Sequence, residues 1–253
     1  MTRFYPEGDL LITEENREAV TTPQALEAAA RAWRILEARP RLCDRDMTLH
    51  FDLAGRHGVM PREEVQVTEE GALPRDVAVI TRVGKPCAFT VLRLPEDPGE
   101  PVLLSRRAAQ EDCLTNYLDT LETGDVLPAR VTHFEPFGAF CDVGCGIPSL
   151  LSIDCMSVSR ISHPSDRFHL GEDILTAFRA RDEVRLGRRG RISLTHKELL
   201  GTWRENAARF SPGQTVLGVV RSVEPYGIFV ELAPNLAGLA ESRPGVKAGD
   251  HCS

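Results

Sequence analysis

The chain has 253 residues, 42% of them hydrophobic and 26% charged, and a net charge of −7. That make-up belongs to an ordinary globular protein with a packed core and excludes the disordered and fibrous classes. No apolar run approaches the roughly 18 residues that a membrane span needs, and residues 1–9 show no basic end followed by an apolar stretch, so the protein is expected in the cytoplasm and away from membranes.

Residues 1–40 read as an N-terminal extension with one helix. Thr22 stands at its cap, Pro23 at its first position, and Leu26, Ala29, Ala30, Trp33 and Leu36 form an apolar stripe up to Arg39-Pro40. In 41–104, Met47, Leu49, Phe51 and Leu53 alternate with polar residues, Gly55-Arg-His-Gly58 reads as a turn, and residues 77–81 and 88–92 read as later strands. This segment is expected to be a degenerate small barrel. A connector helix follows in 105–123, with Leu114, Leu118 and Leu121 on one face of 106–121. Residues 195–210 read as another helix, with Trp203 and Phe210 on its apolar side, and 198–212 is a second connector. Both tryptophans are expected as core or docking residues.

An internal repeat organises the remainder. Gly124-Asp-Val-Leu-Pro-Ala-Arg-Val and Gly213-Gln-Thr-Val-Leu-Gly-Val-Val open two blocks that align without a gap at an offset of 89, each continuing into Glu-Pro-aromatic-Gly-x-Phe. Two copies of one module are therefore expected, at 124–197 and 213–253. Short strands punctuated by Gly and Pro at this density point to a small barrel or sandwich. In the first copy Ala139, Cys141 and Val143 alternate with Phe140 and Asp142, and residues 174–178 and 192–194 supply later strands.

Charge is unevenly spread. Residues 1–123 hold 15 basic and 22 acidic side chains, whereas 124–197 hold 10 and 9. Within the latter, Arg179, Arg181, Arg185, Arg188, Arg189 and Arg191 face Asp182 and Glu183, a local +4 that can hold a phosphate backbone on an acidic protein. Exposed rings would add base stacking, and the candidates are Phe137 and Phe140 in one copy and Tyr226 and Phe229 in the other. Residues three apart on a strand point to opposite faces, so each pair can share the outer face only if Gly138 or Gly227 opens a bulge. Otherwise one ring of each pair belongs to the core.

The cysteines are seven, scattered, and lack a CxxC pair. Reduced thiols are expected, with Cys141, Cys145 and Cys155 as small buried residues and no metal site. No Walker loop, Gly-x-Ser-x-Gly or His-Glu-x-x-His is present, so a non-enzymatic protein without cofactor is expected.

The run 124–197 resembles the S-one RNA-binding domain, the repeat of the largest ribosomal small-subunit protein. The residues that carry the likeness are Phe137-Gly-Ala-Phe140, Ser149-Leu-Leu-Ser-Ile153, Ser162-His-Pro-Ser165 and Gly190-Arg-Ile-Ser-Leu-Thr-His-Lys197. The resemblance implies a five-stranded OB barrel that meets RNA through Phe137, Phe140, Asp182 and Arg191, with Arg188 and Arg189 beside them. Ser152 stands where the family usually has His. Tyr226 and Phe229 match in the last copy, where Glu241 takes the His position. The first barrel resembles the family through Gly55-Arg-His-Gly-Val-Met-Pro-Arg-Glu64 and Leu103-Leu-Ser-Arg-Arg107. It lacks the aromatic motif, which implies docking to proteins of the small subunit.

The expected fold is thus mainly β, tandem five-stranded OB-type barrels joined by connector helices. The last barrel is expected to be incomplete, 41 residues from Gly213 against about 70 in the family, with a mobile end or a shortened chain. The expected function is binding of single-stranded RNA, notably mRNA, by a monomer of the ribosomal S-one type acting in translation. The alternatives are a protein-docking scaffold with weak RNA binding and the RNA-binding part of an RNA-processing or decay complex.

Overall fold

Thr13 opens the first ordered helix by accepting the Asn16 N–H at 3.3 Å, with Glu14 and Glu15 in the first turn, where acids favour a helix N-terminus. This helix, α1 (Glu14–Thr21), was not expected from the apolar pattern. Pro23 then begins α2 (Pro23–Arg31), which buries Leu26 and Ala29. α2 stops short of the expected stripe: Trp33 takes a positive φ of 51°, so its ring leaves the helical face and stays 46% exposed instead of joining the core. The computed structural model describes residues 4–68, 72–181 and 190–253. These fall into two compact units, one made of 4–68, 72–121, 142–148 and Gly190, the other of 122–141, 149–181 and 191–253.

In the first unit the strands are β1 (Leu36–Ala38), β2 (Leu42–Cys43), β3 (Leu49–Leu53) and β4 (Arg56–Met60), then β5 (Cys87–Arg93) and β6 (Val102–Ser105). They hydrogen-bond in the order β1-β5-β6-β4-β3-β2. The two ends of that sheet, β1 and β2, are separated in sequence by Arg39, Pro40 and Arg41. Pro40 has no N–H to give a ladder, and one strand broken there serves both edges. β4 and β6 pair in parallel, whereas the other strand pairs are antiparallel. Phe51, Phe89, Leu49, Met60 and Leu104 fill the interior with Leu26 and Ala29 of α2. Residues 77–81, expected as a strand, lie largely in a short helix, α3 (Asp76–Ile80). Val77 and Ile80 are exposed and Val79 buried, a one-sided pattern that a single helical turn satisfies as well as an edge strand does.

Helix α4 (Arg106–Asn116) is capped by Ser105, which accepts the Ala108 N–H. A buried ionic network surrounds it. Glu7 accepts from Arg106 Nε at 2.6 Å, from Arg82 Nη1 at 2.8 Å and from the Ala88 N–H at 3.0 Å. Burial pushes the Glu7 carboxyl up, but these cations and the amide outweigh it and hold the group below its ordinary range. Glu37 accepts the Gly8 N–H at 3.0 Å and Asp142 accepts the Glu7 N–H at 2.7 Å. For both, burial first and the Glu7 charge second or third raise the carboxyl to about 7.

The second unit contains a closed barrel of β7 (Val126–Glu135), β8 (Gly138–Asp142), β9 (Pro148–Ser152), β10 (Asp173–Arg181) and β11 (Ile192–Thr195), closed in the order β10-β11-β9-β8-β7. β9 and β11 are parallel and β7 and β10 antiparallel. Five strands with this connectivity are the OB arrangement. The expected helix over 195–210 is interrupted: a single 3-10 turn at Lys197–Leu200 ends at Gly201, whose φ is +78°, and α5 (Trp203–Ala207) starts anew at a Thr202–Glu205 capping box. Trp203 is consequently 58% exposed, not a core residue.

The last module forms β12 (Gly218–Glu224), β13 (Gly227–Ala233), β14 (Leu236–Ala240) and β15 (His251–Cys252), an open four-stranded sheet in the order β14-β13-β12-β15. β15 pairs with β12 at Gly218↔Cys252, the place that β10 takes beside β7 in the closed barrel. The cysteines are free thiols, buried at 87, 113, 141, 145 and 155 and half-buried at 43 and 252.

Candidate nucleic-acid interface

The aromatic pairs are built by the first hairpin of each repeat. β7 ends at Glu135 and β8 begins at Gly138, so Pro136 and Phe137 form the turn. Phe140 lies on β8, half-buried between the buried Ala139 and Cys141. Phe137 is 52% exposed, and its ring meets that of Phe140 edge-on, centroids 6.2 Å apart at 86°. In the last module Tyr226 and Phe229 repeat this geometry at 6.3 Å and 89°, with Tyr226 69% exposed. Both rings of each pair therefore face outward.

The glycine between them acts differently from the expected bulge. In the last module Glu224 pairs with Gly227 and the register is unbroken there; it breaks instead between Val220 and Ser222 on the partner strand. The leading ring sits in a two-residue turn and is not subject to strand alternation. Gly138 is needed for close approach: a Cβ there would lie 2.5 Å from the Leu151 carbonyl oxygen, and one on Gly227 would lie 2.8 Å from that of Ala240.

A third ring was missed by sequence reading. His133 of β7 lies roughly parallel to Phe140, centroids 6.4 Å apart at 26°, and its Nε2 is 3.0 Å from Glu135. The signal was weak because His133 belongs to neither the repeated motif nor the apolar alternation. His163 stands in another contact, edge-on to Phe134 at 6.0 Å, fixed by a capping box with Asp166.

Across the sheet, Leu150 and Ser152 are half-exposed between buried Ser149 and Leu151, and Ser193 is half-exposed between buried Ile192 and Leu194. Leu150 pairs with Ser193. Alternation thus places Phe140, Leu150, Ser152, Ser193 and the exposed Arg191 on the outer face of β8, β9 and β11. That face, with the loops joining strands one and two and strands four and five, is where OB barrels receive oligonucleotides. Arg179 and Arg181 lie at the end of β10, Arg181 pairing with Ile192 next to Arg191; the Arg179 guanidinium also reaches Cys155 Sγ at 3.1 Å. Asp182, Arg188 and Arg189 lie outside the described residues. On β3 and β4 of the first unit's sheet the rings are His50 and His57, stacked at 5.1 Å, with His50 Nε2 held 2.8 Å from Asp44. No group of three or more metal-binding side chains occurs among the described residues.

No protein-family profile matches the chain. It is 29% identical over 245 residues to the small ribosomal subunit protein bS1 homolog of Bacillus subtilis, covering 92% of this chain and 61% of that protein. It is 30% identical over 194 residues to small ribosomal subunit protein bS1 of Rhizobium meliloti, covering 74% and 32%. The chain thus spans less than two thirds of the relatives' own length. Among solved structures, GSP13 from Bacillus subtilis superimposes on 38% of this chain and 78% of its own, with a TM-score of 0.29 and 20% identity. Over 92% and 74% of its length the chain is thus similar to ribosomal proteins of the S1 family.

Proposed function

We propose that the protein binds single-stranded RNA, including mRNA, on the outer face of the closed barrel. Phe137 and Phe140 stack unpaired bases, His133 extends the stack, and Arg191 and its neighbours on the β10–β11 hairpin hold phosphates. The observation that carries this reading is the recurrence of one outward, edge-on ring pair in both copies. A residue kept for the core would not be half-exposed twice at the same repeat position.

On this reading the chain is a non-catalytic binder that needs no cofactor. It works as an S1-type protein in translation, as a monomer, with the first barrel meeting proteins of the small subunit. The acidic first half and the absence of a Phe-Gly-x-Phe motif there support that division. Filter binding to single-stranded RNA at two salt concentrations tests the central claim, since phosphate neutralisation must weaken as salt rises. Salt-independent or absent binding refutes it. Co-sedimentation with purified small ribosomal subunits tests the placement.

A further inference from the structure

Polar contacts buried away from both aromatic pairs tie the last sheet to the closed barrel. Glu231 of β13 is 7% exposed. Its two oxygens accept from Arg167 Nη1 at 2.7 Å and Nη2 at 3.0 Å, and Arg221 Nε donates to it at 2.6 Å. Burial pushes the Glu231 carboxyl up, but the two guanidiniums outweigh that and hold it below its usual range. Arg167 belongs to the connection between β9 and β10, 64 residues away in sequence. Arg221 is the extra residue at the break in β12 register, and such a break re-aims a side chain.

Asn235, in the turn after β13, is 2% exposed. Its Oδ1 accepts the Val158 N–H at 3.0 Å, and its Nδ2 donates to the Lys197 carbonyl at 3.2 Å and to that of Gly201. The Ser159 N–H adds a bond to the Pro234 carbonyl at 3.4 Å. A bidentate, desolvated ion pair and a fully engaged buried amide have one geometry each. Asp142, which aligns with Glu231 at the offset of 89, is likewise buried and bonded outside its own strand, to the Glu7 N–H.

We propose that Glu231 and Asn235 are positioning residues that lock the closed barrel and the last sheet into one rigid RNA-binding body. A single RNA strand then meets Phe137 and Phe140 together with Tyr226 and Phe229. This rests on the RNA reading above and adds its substrate class, a strand long enough to span both modules. With the two sites held in one orientation, the second engages at high effective concentration.

The test uses the full chain and two oligouridylates, one of about 6 and one of about 30 nucleotides, bracketing the roughly 4–16 nucleotides that one OB fold covers. Glu231→Gln and, as a milder second variant, Asn235→Ala are expected to keep the affinity for the short oligomer. For the long one they are expected to lose at least about tenfold, given avidity gains of about 10²–10⁴ for linked sites. Amide hydrogen exchange without RNA supplies the independent readout. Val158 and Ser159 N–H groups are expected to be protected in the parent protein and to lose protection in both variants, while β7 and β13 amides stay protected. Unprotected Val158 and Ser159 in the parent, or variants that keep full affinity for the long oligomer, would overturn the coupling. If the parent binds neither oligomer the RNA reading fails, and the exchange data alone then decide whether the modules are locked.

Discussion

Phe137→Ala separates stacking from charge and from folding. The ring is 52% exposed and touches Phe140 through an edge contact. Removing it forfeits an aromatic pair worth about 0.5–1.5 kcal/mol and little buried area, so the barrel stays folded. Stacking of one base is worth about 1–3 kcal/mol, and each 1.4 kcal/mol is a factor of about ten in affinity, so single-stranded RNA should bind roughly 5- to 150-fold more weakly. No phosphate contact is lost. The slope of log affinity against log salt should therefore match that of the parent, which fluorescence anisotropy at several salt concentrations measures directly. An unchanged affinity, or a loss accompanied by a shallower salt slope, would refute a stacking role for this ring.

Arg191→Ala should do the opposite, lowering affinity while flattening the salt slope by about 0.7 per phosphate contact removed from a single strand; an unaltered slope places Arg191 outside the phosphate path. Gly138→Ala drives a methyl into the Leu151 carbonyl at 2.5 Å and should destabilise the barrel by about 1–3 kcal/mol, whereas Gly238→Ala, with open space around it, should leave the melting temperature nearly unchanged. Glu37 and Asp142 hold their protons up to about 7 in the folded protein, against ordinary values of 4.5 and 3.8. A raised folded value means stability that is complete below pH 4 and lost as pH climbs towards 7, by a few kcal/mol for groups shifted this far. Exchange of β1 and β5 amides should thus speed up between about pH 4 and 7 beyond the intrinsic chemical rate, and Glu37→Gln should flatten that rise.

Much of the architecture was legible because it is local. The Glu-Pro-aromatic-Gly-x-Phe hairpin is a turn with its flanking strands, and a turn is specified by the residues within it. Its recurrence at one offset announced a module before any contact was known. The helices read less well, since apolar spacing does not register a backbone that changes sign: Trp33 follows a helix that has already ended, and Gly201 cuts the one over 195–210. The stretch around Val77 failed for the complementary reason, a single turn being too short for periodicity to distinguish helix from strand.

By itself the sequence determined the repeat, the aromatic motif of its hairpins and the clustering of arginines in 179–191, each of them a feature of neighbouring residues. Tertiary structure alone decided which partners Glu7, Glu231 and Asn235 would find, because a charge or amide carries no periodicity and its energy depends on what lies within 3 Å once water has gone. It also decided that His133 would join Phe140. Strand pairing brings those two rings together, and pairing is a property of the closed sheet rather than of either strand.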